Sequence, residues 1–197
     1  MKRRHALLGG SAALLATLTA CSKQEEAAPP PAAAPDAGSA VDARQAWEAA
    51  STGTGFSVGQ AMAARTVRVF FDPQCPHCAA LWTASKPLFD RIRMVWMPVA
   101  FINPSSGPQG ALLLAAADPA ATMDLHETLL SNRQGGLVVP GPADPDLLAK
   151  IRANTDLWKQ IDGRSVPHMV YRAGADGPYG SMSGGLPTAD LARLLGL

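Results

Sequence analysis

Cys75 and Cys78 stand three positions apart in the stretch "FFDPQCPHC", with Pro76 and His77 between them. Thiols at this spacing can exchange with other disulfides, supply half of a zinc site, or close a small structural bridge. The bridge is the weakest use, because it closes a very short loop and removes little entropy from the unfolded chain. A zinc site takes about four ligands from Cys and His, so two of His77, His126 and His168 would have to converge on the pair. Exchange needs only the two sulfurs, one a reactive thiolate and the other ready to resolve the mixed disulfide. The pair therefore reads as a redox-active disulfide, Cys75–Cys78, using no other cofactor and no metal. A metal-binding or metal-delivery module built on the same cysteines and a histidine competes with it, as does a redox-silent binding domain.

The surrounding residues say how the thiols are held. "RTVRVFFD" (65–72) alternates Val67, Val69 and Phe71 with Thr66, Arg68 and Phe70, and this β-branched and aromatic content predicts a strand. Asp72 and Pro73 end it. From Pro76 onward Cys78, Leu81, Trp82, Ser85 and Phe89 fall at helical spacing on one face, and Pro87 shortens or kinks that helix. Cys75 thus sits at a helix N-terminus, where unpaired amides and the helix dipole stabilise a thiolate. Pro76 suits the first helical position, which needs no N–H. Cys78, a turn further in, is more buried and less ionised, so Cys75 is the nucleophile and Cys78 the resolving thiol. His77 either stabilises the Cys75 thiolate or is a solvated turn residue. Asp72 shapes the turn, with proton transfer as its alternative use.

Further along, "RIRMVWMPVAF" (91–101) predicts a central strand. "PQGALLLAAADPAATMDLHETLLSN" reads as two helices split at Asp118 and Pro119, and "DPDLLAKIRANTDLWKQI" as a third, after the loop "GGLVVPGPAD". "SVPHMVYRAG" is a strand entered through Pro167, "ADGP" a hairpin turn, "YGSMSGG" its partner, and "PTADLARLLGL" a closing helix capped near Pro187 or Thr188. The order is β-α-β, a helical insertion, then β-β-α.

The chain opens with Lys2, Arg3 and Arg4, runs uncharged from Ala6 to Ala20 and ends that run in small residues, the pattern of an export signal over residues 1–20. The run is too short to span a bilayer. "LTAC" resembles a bacterial lipobox, so Cys21 is the expected lipidation site, followed by an Ala/Pro-rich tether (21–45) and a folded domain (46–197). The expected location is the periplasm, anchored to a membrane. Residues 1–20 hold three of the 17 Lys+Arg and none of the 16 Asp+Glu, leaving 14 against 16, a balance of −2. Nothing there suggests a nucleic-acid partner.

The element order, with Cys-x-x-Cys on the first strand-to-helix turn, resembles the thioredoxin fold: α/β, with a helical insertion between the second strand and the strand after Pro167. "FFDPQCPHCAALW" is similar to the active-site segment of the DsbG/DsbC family of periplasmic thiol:disulfide interchange proteins. "DPAATMDLHETLL", "RANTDLW" and "GGLPTADLARLLGL" resemble counterparts in that family's catalytic domain, so the likeness covers about Trp47 to Leu197. It implies an oxidoreductase or isomerase acting on cysteines of exported proteins and reset by a membrane redox partner. It also implies that Val166-Pro167 matches the family's cis-proline loop, which packs beside the cysteines and leaves the preceding backbone free to bind an extended substrate. His168 then either approaches the site or faces away. The isomerases usually carry Thr before the cis-proline and Tyr inside the cysteine motif, where this chain has Val166 and His77, as the DsbA-type oxidases do. A disulfide donor is thus the alternative to an isomerase. Isomerases of the family dimerise through an N-terminal domain, and only about twenty residues from near Trp47 precede the first strand, so a monomer is expected.

Overall fold

The computed structural model describes residues 41–197. The expected signal peptide, Cys21 and the tether as far as residue 40 lie outside the described residues. In chain order the elements are α1 (Ala43–Ala50), β1 (Phe56–Gly59), β2 (Arg65–Phe71), α2 (Pro76–Ser85), β3 (Arg93–Pro98), α3 (Ser106–Ala115), α4 (Pro119–Ser131), α5 (Pro145–Gln160), β4 (His168–Ala173), β5 (Tyr179–Ser183) and α6 (Thr188–Leu194). The sheet order is β1-β3-β2-β4-β5. β2 and β3 run parallel, joined by α2, and the other neighbours are antiparallel. The parallel pair needs the crossover helix, which fixes α2 on one face of the sheet.

Two elements go beyond the sequence expectation. α1 starts ahead of residue 46, because the Asp42 carboxylate accepts from the N–H groups of Arg44 and Gln45 and so caps it. β1 adds an edge strand of four residues against β3; buried Phe56 and Val58 alternate with exposed Ser57 and Gly59, but over four residues that alternation is too short to identify a strand. The helical insertion α3–α5 follows the strand expected over 91–101, which β1 makes the third in chain order.

Alternation along β2 decides which face meets which helix. Val69 pairs in register with Trp96 of β3, and Trp96 packs edge-on against Trp82 of α2 with ring centroids 5.2 Å apart. Val67, Val69 and Phe71 thus point to α2. On the opposite face the Arg68 guanidinium lies 3.7 Å from the centre of the Trp47 ring of α1. α5 is held on the insertion side by the buried Asn154, whose amide donates to the carbonyls of Thr54 (2.7 Å) and Pro98 (3.0 Å). α6 is tied to the end of α2 where the Thr188 hydroxyl donates to the Ala84 carbonyl at 2.7 Å. Trp82, Trp96, Phe70 and Phe71 are all fully buried, each contributing on the order of 2–3 kcal/mol of apolar burial. The β2–α2 corner that carries the cysteines is thus backed by fully buried aromatic side chains.

Candidate active site

Phe71 ends β2, and Asp72, Pro73 and Gln74 turn the chain into α2. The Cys75 N–H donates to the Asp72 carbonyl at 2.9 Å, and the Cys75 carbonyl takes the first helical bonds from Cys78 and Ala79. Cys75 occupies the N-cap with an extended backbone, and Pro76 follows at the first helical position. The Cys75 side chain makes no capping hydrogen bond, so the sulfur sits at a helix end whose amides have no intrahelical partner and whose dipole favours negative charge. The thiol is lowered to about 6, first by a hydrogen bond with Cys78, against the opposing effect of burial, then by the N–H groups of Cys78 and His77 and by the His77 charge. The Cys78 thiol is pushed far up, by burial first and then by its bond to Cys75 and that neighbour's charge. Cys75 keeps 4% of its surface exposed and Cys78 none, so only Cys75 can meet a partner from solution. Alkylation of the reduced protein by iodoacetamide is accordingly expected at Cys75 alone. Its rate should rise to half its plateau at about pH 6, against about 8.5 for a free thiol; a midpoint above 8 would mean that the helix N-terminus does not stabilise the thiolate.

The peptide bond Val166-Pro167 is cis, in the loop entering β4. The Val166 carbonyl faces the pair and accepts from the Cys75 thiol at 3.4 Å. Beside it a cavity of about 280 Å³ runs between α2 and the β5–α6 loop, lined by His77, Ala80, Leu81, Leu186 and Pro187 among others. Pro76 and His77 are exposed on the rim. The site residues picked from the sequence within the described chain, Cys75, Pro76, His77, Cys78, Val166 and Pro167, are thus brought together at one corner. Cys21 lies outside the described residues.

His168 turns away. It pairs with Phe70, on the face opposite α2, and its ring nitrogens bond the hydroxyls of Ser183 (2.9 Å) and Ser181 (3.0 Å). His126 has both nitrogens engaged too: Nε2 donates to the Pro73 carbonyl at 2.7 Å and Nδ1 accepts from the Leu137 N–H at 3.2 Å. Burial pushes both imidazoles down, His168 to about 4. Neither ring presents a free nitrogen to the cysteines as a zinc ligand would.

Asp72 shapes the turn. It is fully buried, and its carboxylate accepts from three backbone N–H groups: Gln74 at 2.9 Å on Oδ1, Phe101 at 2.9 Å and Ile102 at 3.0 Å on Oδ2. One side chain thereby ties the turn before Cys75 to the loop after β3.

The insertion contributes a second layer that the sequence reading missed. The Gln74 amide donates to Gln109 of α3 and to the Gly135 carbonyl, and Gln109 in turn donates to Gly135 and Leu137. Gly136 has φ +80°, and a Cβ there would stand 2.5 Å from His126 Cε1, so the ring can reach Pro73 only past a glycine. Beside His126, Glu127 is buried with both carboxylate oxygens unpartnered. Its carboxyl is raised to about 8, by burial first and then by the Cys75 charge. A sequence signal for these two residues does exist. Met123, His126 and Glu127 stand at i, i+3 and i+4 on a helix, so two polar residues share the apolar stripe.

No protein-family model matches the chain. A search of curated proteins finds the thiol:disulfide interchange protein DsbG of Pseudomonas aeruginosa, 26% identical over 157 residues, which are 78% of this chain and 60% of that relative. The described residues form a thioredoxin-fold domain similar in sequence to that relative. This domain also superposes on solved structures that share its fold. One is a periplasmic thioredoxin-like protein from Salmonella enterica serovar Typhimurium, with TM-score 0.59 and 19% identity, covering 76% of this chain and 93% of that one. The catalytic domain of Proteus mirabilis ScsC gives TM-score 0.61 at 16% identity, covering 78% and 95%. Pseudomonas aeruginosa DsbA2 gives 0.55 at 19%, covering 70% and 90%. Among the described residues, no helix is long and apolar enough to cross a membrane.

Proposed function

We propose that the thioredoxin-fold domain carries out thiol–disulfide exchange on cysteines of exported proteins. The observation that carries this is the Cys75 sulfur: an ionisable thiol at a helix N-terminus, 3.4 Å from the carbonyl that precedes a cis-proline, with a buried second thiol behind it. The Cys75 thiolate attacks one sulfur of a substrate disulfide, and the other leaves with the electron pair. Cys78 then gives up its proton and attacks Cys75, closing the Cys75–Cys78 disulfide and releasing the substrate reduced. Run backwards, the same steps donate a disulfide. Where the substrate's own thiol attacks before Cys78 does, the outcome is isomerisation. An extended substrate segment pairs with the Val166 backbone and lies along the cavity rimmed by His77. The protein works in the periplasm as a monomer, held to a membrane by lipid on Cys21 and reset by a membrane redox partner; the periplasmic thioredoxin-like relative supports that location.

A lowered Cys75 pKa stabilises the reduced form and makes the disulfide more oxidising. At about 6 it falls between thioredoxin, about 7, and DsbA, about 3.5. The reduction potential should therefore fall between those of the same two proteins, about −270 and about −120 mV, measured by equilibration with glutathione and thiol trapping. A potential below that of thioredoxin would make the protein a reductant and overturn this expectation.

A further inference from the structure

Glu127 is the one buried carboxyl among the described residues whose two oxygens both lack a partner. Proteins seldom leave such a group unsatisfied without a use for it. Two anchors determine what it faces. His126, the preceding residue, is fastened to the Pro73 carbonyl two positions before Cys75. Asp124, one turn earlier on α4, accepts from the Trp82 indole at 2.7 Å, one turn beyond Cys78, and from Lys86 at 2.7 Å. α4 is thus clasped to the turn before α2 and to α2 itself, on either side of Cys78, and Glu127, next along α4, is near enough for charge to act between its carboxyl and both thiols. Cys78 is fully buried, so its proton has no direct way to water. The carboxylate oxygens of Glu127 are buried too, but the residue borders a cavity of about 450 Å³ together with Lys86, Asp124, Thr128 and Asn132, and Lys86, Thr128 and Asn132 are exposed.

We propose that Glu127 is the proton acceptor for Cys78, a role that rests on the exchange reading above. In the mixed disulfide the Cys78 S–H bond breaks and its proton passes to a Glu127 carboxylate oxygen. The freed electron pair forms the bond to Cys75, and the substrate sulfur leaves Cys75 with the electron pair of the broken bond. The dithiol loses two electrons and the substrate disulfide gains them. In reverse, a substrate thiolate attacks Cys75 of the disulfide and Glu127 returns the proton to the departing Cys78 sulfur. The titratable groups around Glu127 are the two thiols of the motif, Lys86 with its partner Asp124, and the doubly bonded His126. The thiolate charge of Cys75 times the transfer. While it is present, it adds to burial in keeping Glu127 protonated. Once Cys75 is in a mixed disulfide that charge is gone, and Glu127 is released toward the carboxylate as Cys78 must ionise.

Stopped-flow reaction of the reduced full chain with 5,5′-dithiobis(2-nitrobenzoate) separates the steps. The first release of thionitrobenzoate reports attack by Cys75 and the second reports resolution by Cys78. Glu127→Gln should change the first phase by no more than a few-fold and slow the second by about 100-fold at neutral pH, with the deficit closing in alkali as hydroxide takes over. Glu127→Asp, which keeps a carboxyl, should recover part of the loss. A folded E127Q with an unchanged second phase across the pH range would overturn the role of Glu127 and leave exchange standing. A wild-type chain with no second phase would overturn exchange itself. If E127Q does not fold, carboxyl carbon-13 NMR on the wild type decides. The Glu127 signal should titrate near 8 in the dithiol and lower once Cys75 is carbamidomethylated. Titration in the ordinary carboxylate range in the dithiol, or no movement on alkylation, would overturn the role.

Discussion

Cys75→Ser is expected to abolish thiol–disulfide exchange, by on the order of 10⁴-fold or more in turnover, as loss of a sole covalent nucleophile does. The size follows from chemistry rather than from fit. A serine hydroxyl fills nearly the same N-cap volume, but it stays protonated at neutral pH and its oxygen cannot form the mixed disulfide. The remaining thiol does not substitute, because Cys78 is fully buried and its ionisation is strongly disfavoured. Cys78→Ser should behave differently. Cys75 still attacks, but nothing resolves the adduct, so covalent mixed disulfides accumulate and appear as mass increases on non-reducing analysis. Assay of both variants on a scrambled or reduced substrate, with mass spectrometry of the products, separates the roles. Activity retained in C75S would remove Cys75 as the nucleophile, and trapping by C75S rather than C78S would reverse the assignment.

Asp72→Ala is expected to be the most damaging change to stability that touches the site, at roughly 3–5 kcal/mol. It leaves three backbone N–H groups facing a site emptied of its acceptor, each costing about 1–3 kcal/mol when buried and unpaired. For a domain of this size that lowers Tm by on the order of 10 °C. Asp72→Asn should be only partly tolerated. One amide oxygen can still accept, but the NH₂ must face either the Gln74 N–H or those of Phe101 and Ile102, donor against donor. Because the same carboxylate holds the turn into Cys75, both variants should also shift the Cys75 alkylation midpoint upward as the loop loosens. Thermal unfolding with the alkylation profile tests both effects. A D72A protein within 1 kcal/mol of wild type would show that water replaces the carboxylate and that the turn holds without it.

The centre of the site was legible in the residues themselves because its signals are local. Period-two alternation from Val67 to Phe71, Pro76 at a first helical position and the spacing of Cys78, Leu81 and Trp82 together dictate a strand, a turn and a helix with one thiol at its end and one inside. Pairing of Val166-Pro167 with the cysteines was an implication of resemblance, since nothing in that dipeptide says which turn it will touch. α1 and β1 carried too little pattern to be read, as a strand of four residues is defined by its neighbour rather than by its own period.

The sequence by itself thus determined which two thiols are proposed to do the chemistry and why they are unequal. Only the tertiary structure decided what surrounds them: Val166 O against Cys75, Asp72 across to Phe101 and Ile102, and Gln109, His126 and Glu127 brought in from the insertion. These partners lie about 30 to 90 positions away along the chain. A polar residue on an apolar helix face signals only that it needs a partner when buried; which group supplies that partner is settled when the helix docks.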